Sequence, residues 1–220
     1  MLRRLRAEYG EPERPGTIEP VDELVMTILS QHTSDQNTER AFASLRATFP
    51  TWEAVIAASD DAVADAIRSG GLANVKAPRI RKALADVRER TGGFDLSFLA
   101  DLSVADARGW LTSLDGVGPK TASCVLLFSL DRPAMPVDTH VHRVSLRLGL
   151  IPARTSAERA HQMLEAIVPD GDMYAAHLLL IRHGRATCYA RWPRCRSCIL
   201  VQCCPAAQTF LSDEQEQHDG

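Results

Sequence analysis

Five of the six cysteines of this chain fall in one short, arginine-studded segment, CYARWPRCRSCILVQCC, residues 188–204. Thiolates are strong metal ligands, and clustered thiols in a reducing compartment point to a metal rather than to disulfides. The spacing is Cys188-x6-Cys195-x2-Cys198-x5-Cys204, with Cys203 left over beside the last of them. On residue chemistry alone, a structural zinc ion is the first candidate for four such cysteines. The sixth, Cys124, falls on an apolar helical face and reads as core.

A second place for chemistry is LDGVGPK, residues 114–120. Two glycines permit a tight turn and leave backbone N–H groups uncovered, and Pro119 suits the first position of a following helix. The turn at Gly116, Val117 and Gly118 would therefore present amides at a positive helix end, which suits a phosphate. Lys120 falls in the first turn of that helix. The dipole disfavours another positive charge there, which suits a lysine that has to work as a neutral nucleophile. In PVDTH, residues 136–140, Asp138 opens another helix, where a carboxylate is both a cap and a favourably placed negative charge.

The elements that must position these groups read as helices. Ile80, Leu84 and Val87 recur at helical spacing, as do Val137, Val141, Val144 and Leu148, and Thr121, Cys124, Val125 and Phe128. No stretch alternates with period two long enough for a convincing strand. Ser34 or Asp35 caps a helix running to about Thr48, and Ser103 caps one running to about Leu114. Roughly ten short helices are expected in an all-α chain. The acidic end, residues 206–220, is expected to be disordered.

The 220 residues suffice for one large domain or two small ones, and 45% hydrophobic with 24% charged residues is an ordinary globular composition. The N-terminus has basic residues but no apolar run behind them, and no stretch is long and apolar enough to cross a bilayer, so a cytoplasmic, intracellular location is expected. The net charge of −3 argues weakly against a nucleic-acid partner. Its distribution argues otherwise. Without the four acids of residues 205–220 the rest carries +1, and residues 181–196 hold five arginines and no acid.

Three pieces in order, LDGVGPKTA, VDTHVHRV and HGRATC with the cysteine array, resemble the endonuclease III family of helix-hairpin-helix DNA glycosylases. The resemblance spans roughly residues 20–205. It implies a six-helix barrel domain over about 21–131, and a cluster domain from residues 1–20 with 132–205, with a DNA cleft between them. It implies a [4Fe–4S] cluster on Cys188, Cys195, Cys198 and Cys204, in place of zinc. It assigns Lys120 the attack on the sugar C1′ and Asp138 the stabilisation of charge on the sugar, or help in deprotonating Lys120. Leu72, in GGLAN, matches the loop that fills the space left by a flipped base.

The same resemblance implies contacts to duplex DNA at Gln31, His32, Leu72, Gly116, Val117, Gly118, His140, Arg143 and Arg185, and a monomer in the nucleoid. A lysine at position 120 implies a bifunctional enzyme that removes oxidised pyrimidines and nicks the strand by β-elimination. A related glycosylase for mispaired thymine, uracil or adenine is the alternative, and a damage-binding protein with weak catalysis is another. Two departures stand out. SQHTSD, residues 30–35, replaces a family pattern close to SAQATD, so that His32 stands where glutamine is expected and Gln31 is displaced by one. Ala73 replaces an aromatic residue beside the wedge leucine.

Overall fold

The structure, a computed structural model, describes residues 1–14 and 16–216, with side chains through residue 212. Among these residues it is helical throughout and contains no strand. The chain divides into two compact units, Gly16–Arg132 and Met1–Pro15 with Pro133–Gly220.

The first helix of the continuous unit is α2, Pro20–Leu29. Pro20 opens it and Asp22 and Glu23 favour its positive end. Its apolar face, Val21, Leu24, Val25, Ile28 and Leu29, is buried. Helices α3 (Asp35–Thr48), α4 (Trp52–Ala57) and α5 (Asp60–Ala66) start at Ser34, Thr51 and Ser59, whose hydroxyls accept N–H bonds at 3.2–3.3 Å. The long α6 (Ala73–Thr91) ends where Gly92 turns left-handed at φ 73°. Helix α7 (Val104–Thr112) is capped by Ser103, as expected. It stops two residues before Leu114 because the N–H groups of Ser113 and Leu114 turn back to Trp110 and Leu111. The hairpin follows, then α8 (Pro119–Cys124) and a π-helical turn over Val125–Ser129. Leu45, Ile67, Ile80, Leu84, Val87, Leu111, Ala122 and Leu126 fill the core with the face of α2.

The discontinuous unit holds α1 (Leu2–Tyr9), α9 (Thr139–Arg147), α10 (Ala157–Glu165), α11 (Met173–Ala186) and α12 (Ala207–Glu216). Tyr9 joins α1 to α11, its hydroxyl 3.1 Å from both His183 Nδ1 and Thr187 Oγ1. Helix α12 corrects the expectation that residues 206–220 are disordered. Ala207 is buried, and the Arg147 guanidinium lies 4.5 Å from the Phe210 ring, so this stretch has an apolar anchor that its acidic composition hides. Residues 217–220 lie outside the described residues. No helix among the described residues is long and apolar enough to cross a membrane.

Helices α9 and α11 come together at Gly184. A Cβ there would sit 2.9 Å from His140 Cβ and 3.0 Å from its Nδ1, closer than packed atoms approach. Gly184→Ala is expected to push α9 off α11 and to cost about 1–3 kcal/mol, measured as a drop in the urea midpoint.

Candidate active site

The chain has three lysines, and their surroundings differ in kind. Lys76 is 1% exposed, its ammonium donating to Leu29 O at 2.6 Å and Gly70 O at 2.8 Å. Lys82 lies on the surface and pairs with Asp115 at 2.5 Å. Lys120 is half-buried in the first turn of α8, straight after the hairpin. In that hairpin Gly116 has φ 76°, and Val117 is buried with its N–H closing the turn on Leu114 O at 3.2 Å. Val117 thus holds the turn, while Gly116 and Gly118 are its exposed residues.

Two loops of the same unit carry left-handed non-glycine residues, His32 at φ 55° and Leu72 at φ 49°. That conformation is costly for residues with a Cβ and persists where the surroundings impose it. Lys76 anchors the backbone at the approach to both loops. Its ammonium binds the carbonyl at the end of α2, just before the His32 loop, and the Gly70 carbonyl, just before Leu72. Gln31 is half-buried and accepts a bond from Arg79 Nη1 at 3.4 Å, whereas His32 is exposed and Leu72 is 54% exposed. The stem of Arg79 also lies where a Cβ on Gly116 would touch it, at 3.6–3.7 Å.

In the discontinuous unit Asp138 caps α9, its Oδ1 accepting from Val141 N–H at 2.7 Å. Arg143, expected on DNA, is committed inside the unit. It donates to Cys188 O at 3.0 Å and Gly184 O at 2.9 Å, and its Nη2 lies 3.1 Å from His140 Nδ1. Arg185 is exposed on the last turn of α11. Arg147, which the sequence did not single out, donates to Tyr189 O at 2.6 Å, Ala190 O at 3.0 Å and Cys188 Sγ at 3.3 Å.

The thiols of Cys188, Cys195, Cys198 and Cys204 line one cavity with Pro193, Leu200 and Val201. Cys203 does not line it; its exposed thiol donates to Leu200 O at 3.3 Å. Burial pushes the thiols of Cys198 and Cys204 up, so a charged thiolate there needs a cation beside it. Among the described residues no three His, Cys, Asp or Glu side chains close on one point as a single ion requires. A cluster asks less, because each thiolate binds its own iron around a shared space.

Residues 25–170 match the HhH-GPD superfamily of base excision DNA repair proteins. Endonuclease III of Escherichia coli is 33% identical over 205 residues, 93% of this chain and 92% of that protein. Endonuclease III of Thermotoga maritima is 33% identical over 88% of this chain and 86% of its own length. The chain belongs to the endonuclease III family. With it, the chain joins the DNA glycosylases and abasic-site lyases of base excision repair. A putative DNA glycosylase of Arabidopsis thaliana is 41% identical over 75% of this chain, although the match spans only 56% of the plant protein. Among solved structures, a trapped covalent intermediate of endonuclease III with DNA superposes with a TM-score of 0.81 at 29% identity, covering 96% of this chain and 95% of that one.

In this endonuclease III-family chain the sequence did not reveal what lies behind Lys120. Glu23 is only 9% exposed and accepts a bond from Thr27 Oγ1 at 2.9 Å. Burial raises its carboxyl to about 7, against the opposing pull of Thr27 and of Lys120. Cys124 is 4% exposed, and burial pushes its thiol up to about 11. The available signal was Glu23 and Thr27 at i, i+4 within an otherwise apolar helix. A carboxyl raised on folding binds more protons in the folded state, so its stabilisation is present below its unfolded value and is lost as pH rises through about 7. Glu23→Gln removes that loss. The variant should gain on the parent by on the order of 3 kcal/mol between pH 4.5 and pH 8, measured by urea unfolding at both pH values.

Proposed function

We propose that this chain is a bifunctional DNA glycosylase and abasic-site lyase that removes oxidised pyrimidines from duplex DNA and nicks the strand through a Schiff base on Lys120. The observation that carries the reading is the fate of the three lysines. Lys76 is sealed on carbonyls and Lys82 is paired at the surface, which leaves Lys120, at a helix start beside the hairpin, as the amine for attack.

The chemistry proceeds in two stages. The Lys120 nitrogen forms a bond to C1′ as the bond from C1′ to the base breaks, and the electron pair leaves with the base. The C1′–O4′ bond of the ring then opens, the nitrogen's proton passing to O4′, and the resulting imine makes the C2′ proton acidic, so that its loss expels the 3′ phosphate. We assign Asp138 to the positive charge that develops on the sugar. The Gly116–Gly118 turn would hold a backbone phosphate and Arg185 another. Arg143 and His140 act differently: bonded to each other, they shape the start of α9. Of the two candidates for the gap opposite the lesion, His32 is the exposed one and Gln31 is held by Arg79. Leu72 is the wedge. We infer that the protein works as a monomer in the nucleoid.

The four thiols fit a [4Fe–4S] cluster, with Cys204 rather than Cys203 as the last ligand, and Arg147 directs an N–H at the Cys188 sulfur. The cluster would brace the arginine-rich segment. The purified protein should be yellow-brown, with iron and acid-labile sulfide for one cluster per chain, and Cys203→Ser should retain both. A colourless protein containing zinc would refute this assignment.

The mechanism is tested by borohydride trapping on duplexes carrying an abasic site, thymine glycol or uracil. The parent should give a covalent protein–DNA band, strongest among base lesions with thymine glycol, and Lys120→Ala should give none while keeping its colour. Preference for mispaired uracil or thymine without trapping would favour the related monofunctional glycosylase that the His32 loop suggests. His32→Gly should leave the melting temperature unchanged or raised, because glycine relieves the left-handed strain, yet should slow base release from duplex DNA.

A further inference from the structure

Lysine is almost never sealed from solvent, because its ammonium is costly to desolvate. Lys76 is sealed, and the bonds that compensate it run to two backbone carbonyls from different parts of the chain. Leu29 O, at 2.6 Å, belongs to the last residue of α2, where a helix end leaves carbonyls open. Gly70 O, at 2.8 Å, ends the 3-10 turn Arg68–Gly70. That turn lies close on its neighbours: a Cβ on Gly70 would stand 3.1 Å from Ala41 Cβ and 3.9 Å from Leu29 Cδ2. The backbone of Lys76 adds a third grip, its N–H donating to Leu72 O at 3.0 Å. One residue therefore holds carbonyls on both sides of Gly71, which turns left-handed at φ 68°. From further along α6, Arg79 reaches Gln31 Oε1 at 3.4 Å. The start of α6 thus fastens the two segments that carry His32 and Leu72.

We propose that Lys76 is a positioning residue for the filling of the DNA gap: it ties the Leu72 loop and the His32 loop to one buried point, so that the two enter the duplex as a unit. Leu72 fills the space of the flipped nucleotide and His32 the gap opposite, so two separate segments must act in the same step. Each does so from left-handed backbone, which a residue with a Cβ adopts at a cost. Loops that had to find that conformation only on meeting DNA would pay for their ordering out of the binding energy. An apolar side chain could fill the same space, but a buried polar group with its partners in place specifies one arrangement of them. The roles of Leu72 and His32 are those proposed above, and the coupling rests on them.

The experiment reads the gap directly. The fluorescent base 2-aminopurine is set opposite an uncleavable tetrahydrofuran abasic analogue in duplex DNA, and its signal rises when saturating protein drives it from the stack. Single-turnover release of thymine glycol is measured beside it. Lys76→Met should lose at least about half of the fluorescence rise and slow base release at least about tenfold. Nicking of a preformed abasic site, which has no base to unstack, should fall less. Lys76→Arg, which again offers donors to both carbonyls, should recover most of the rise and of the rate. A folded Lys76→Met that unfolds earlier in urea but keeps the parent's rise and rate would mean a purely structural role and overturn the coupling. If Lys76→Met does not fold, the test passes to His32→Gly, Leu72→Ala and the double variant. Loops that enter together should give a double loss smaller than the product of the single ones. Losses that simply multiply would overturn the coupling. Single variants that both keep the parent's rise would instead overturn the gap-filling roles on which it rests.

Discussion

An ammonium group withdrawn from water must find its hydrogen bonds inside the protein, and that requirement on Lys76 shapes the continuous unit. Its two short bonds join the end of α2 to the turn before α6. Burial alone lowers the pKa of the amine, and the carbonyls at the end of a helix are where a buried cation is least costly. The loops that follow these anchors, at His32 and Leu72, have left-handed backbone that neither residue prefers. Two groups proposed to enter DNA thus follow anchors held by one buried charge.

The same device recurs in the discontinuous unit. Arg143 and Arg147 turn their guanidinium groups onto the carbonyls of Gly184, Cys188, Tyr189 and Ala190 rather than outward. These residues lead into the cysteine segment, whose chain has only two short 3-10 turns of its own at Cys195–Ser197 and Val201–Cys203. Loop backbone without regular ladders needs such partners. Gly184 permits the arrangement, since any side chain there would displace His140 and Arg143 together.

Features set by local chemistry were legible in the sequence. The hydroxyls of Ser34 and Ser103 cap helices where expected, the glycine hairpin precedes α8, and Asp138 opens α9. Features set by distant packing were not. Glu23 in PVDEL has the place of an ordinary first-turn acid, and packing of α2 against elements distant in the chain buries it. Lys76, among the charges of α6, reads as solvated. Arg143 reads as a DNA contact because the motif holding it does, whereas its bonds lie 41 and 45 residues away along the chain. The helix at Ala207–Glu216 was hidden by its acids, since its anchors are one alanine and one phenylalanine.

The surroundings of the amines give this chain an unusually direct test. With three lysines and one α-amino group, the covalent adduct has few places to form. The trapped protein–DNA complex can be digested with nuclease and protease and the sugar remnant located by mass spectrometry. The account predicts the remnant on Lys120, in the peptide that contains GVGPKTASC, and on no other amine. A remnant on Lys76, Lys82 or the N-terminus would contradict it.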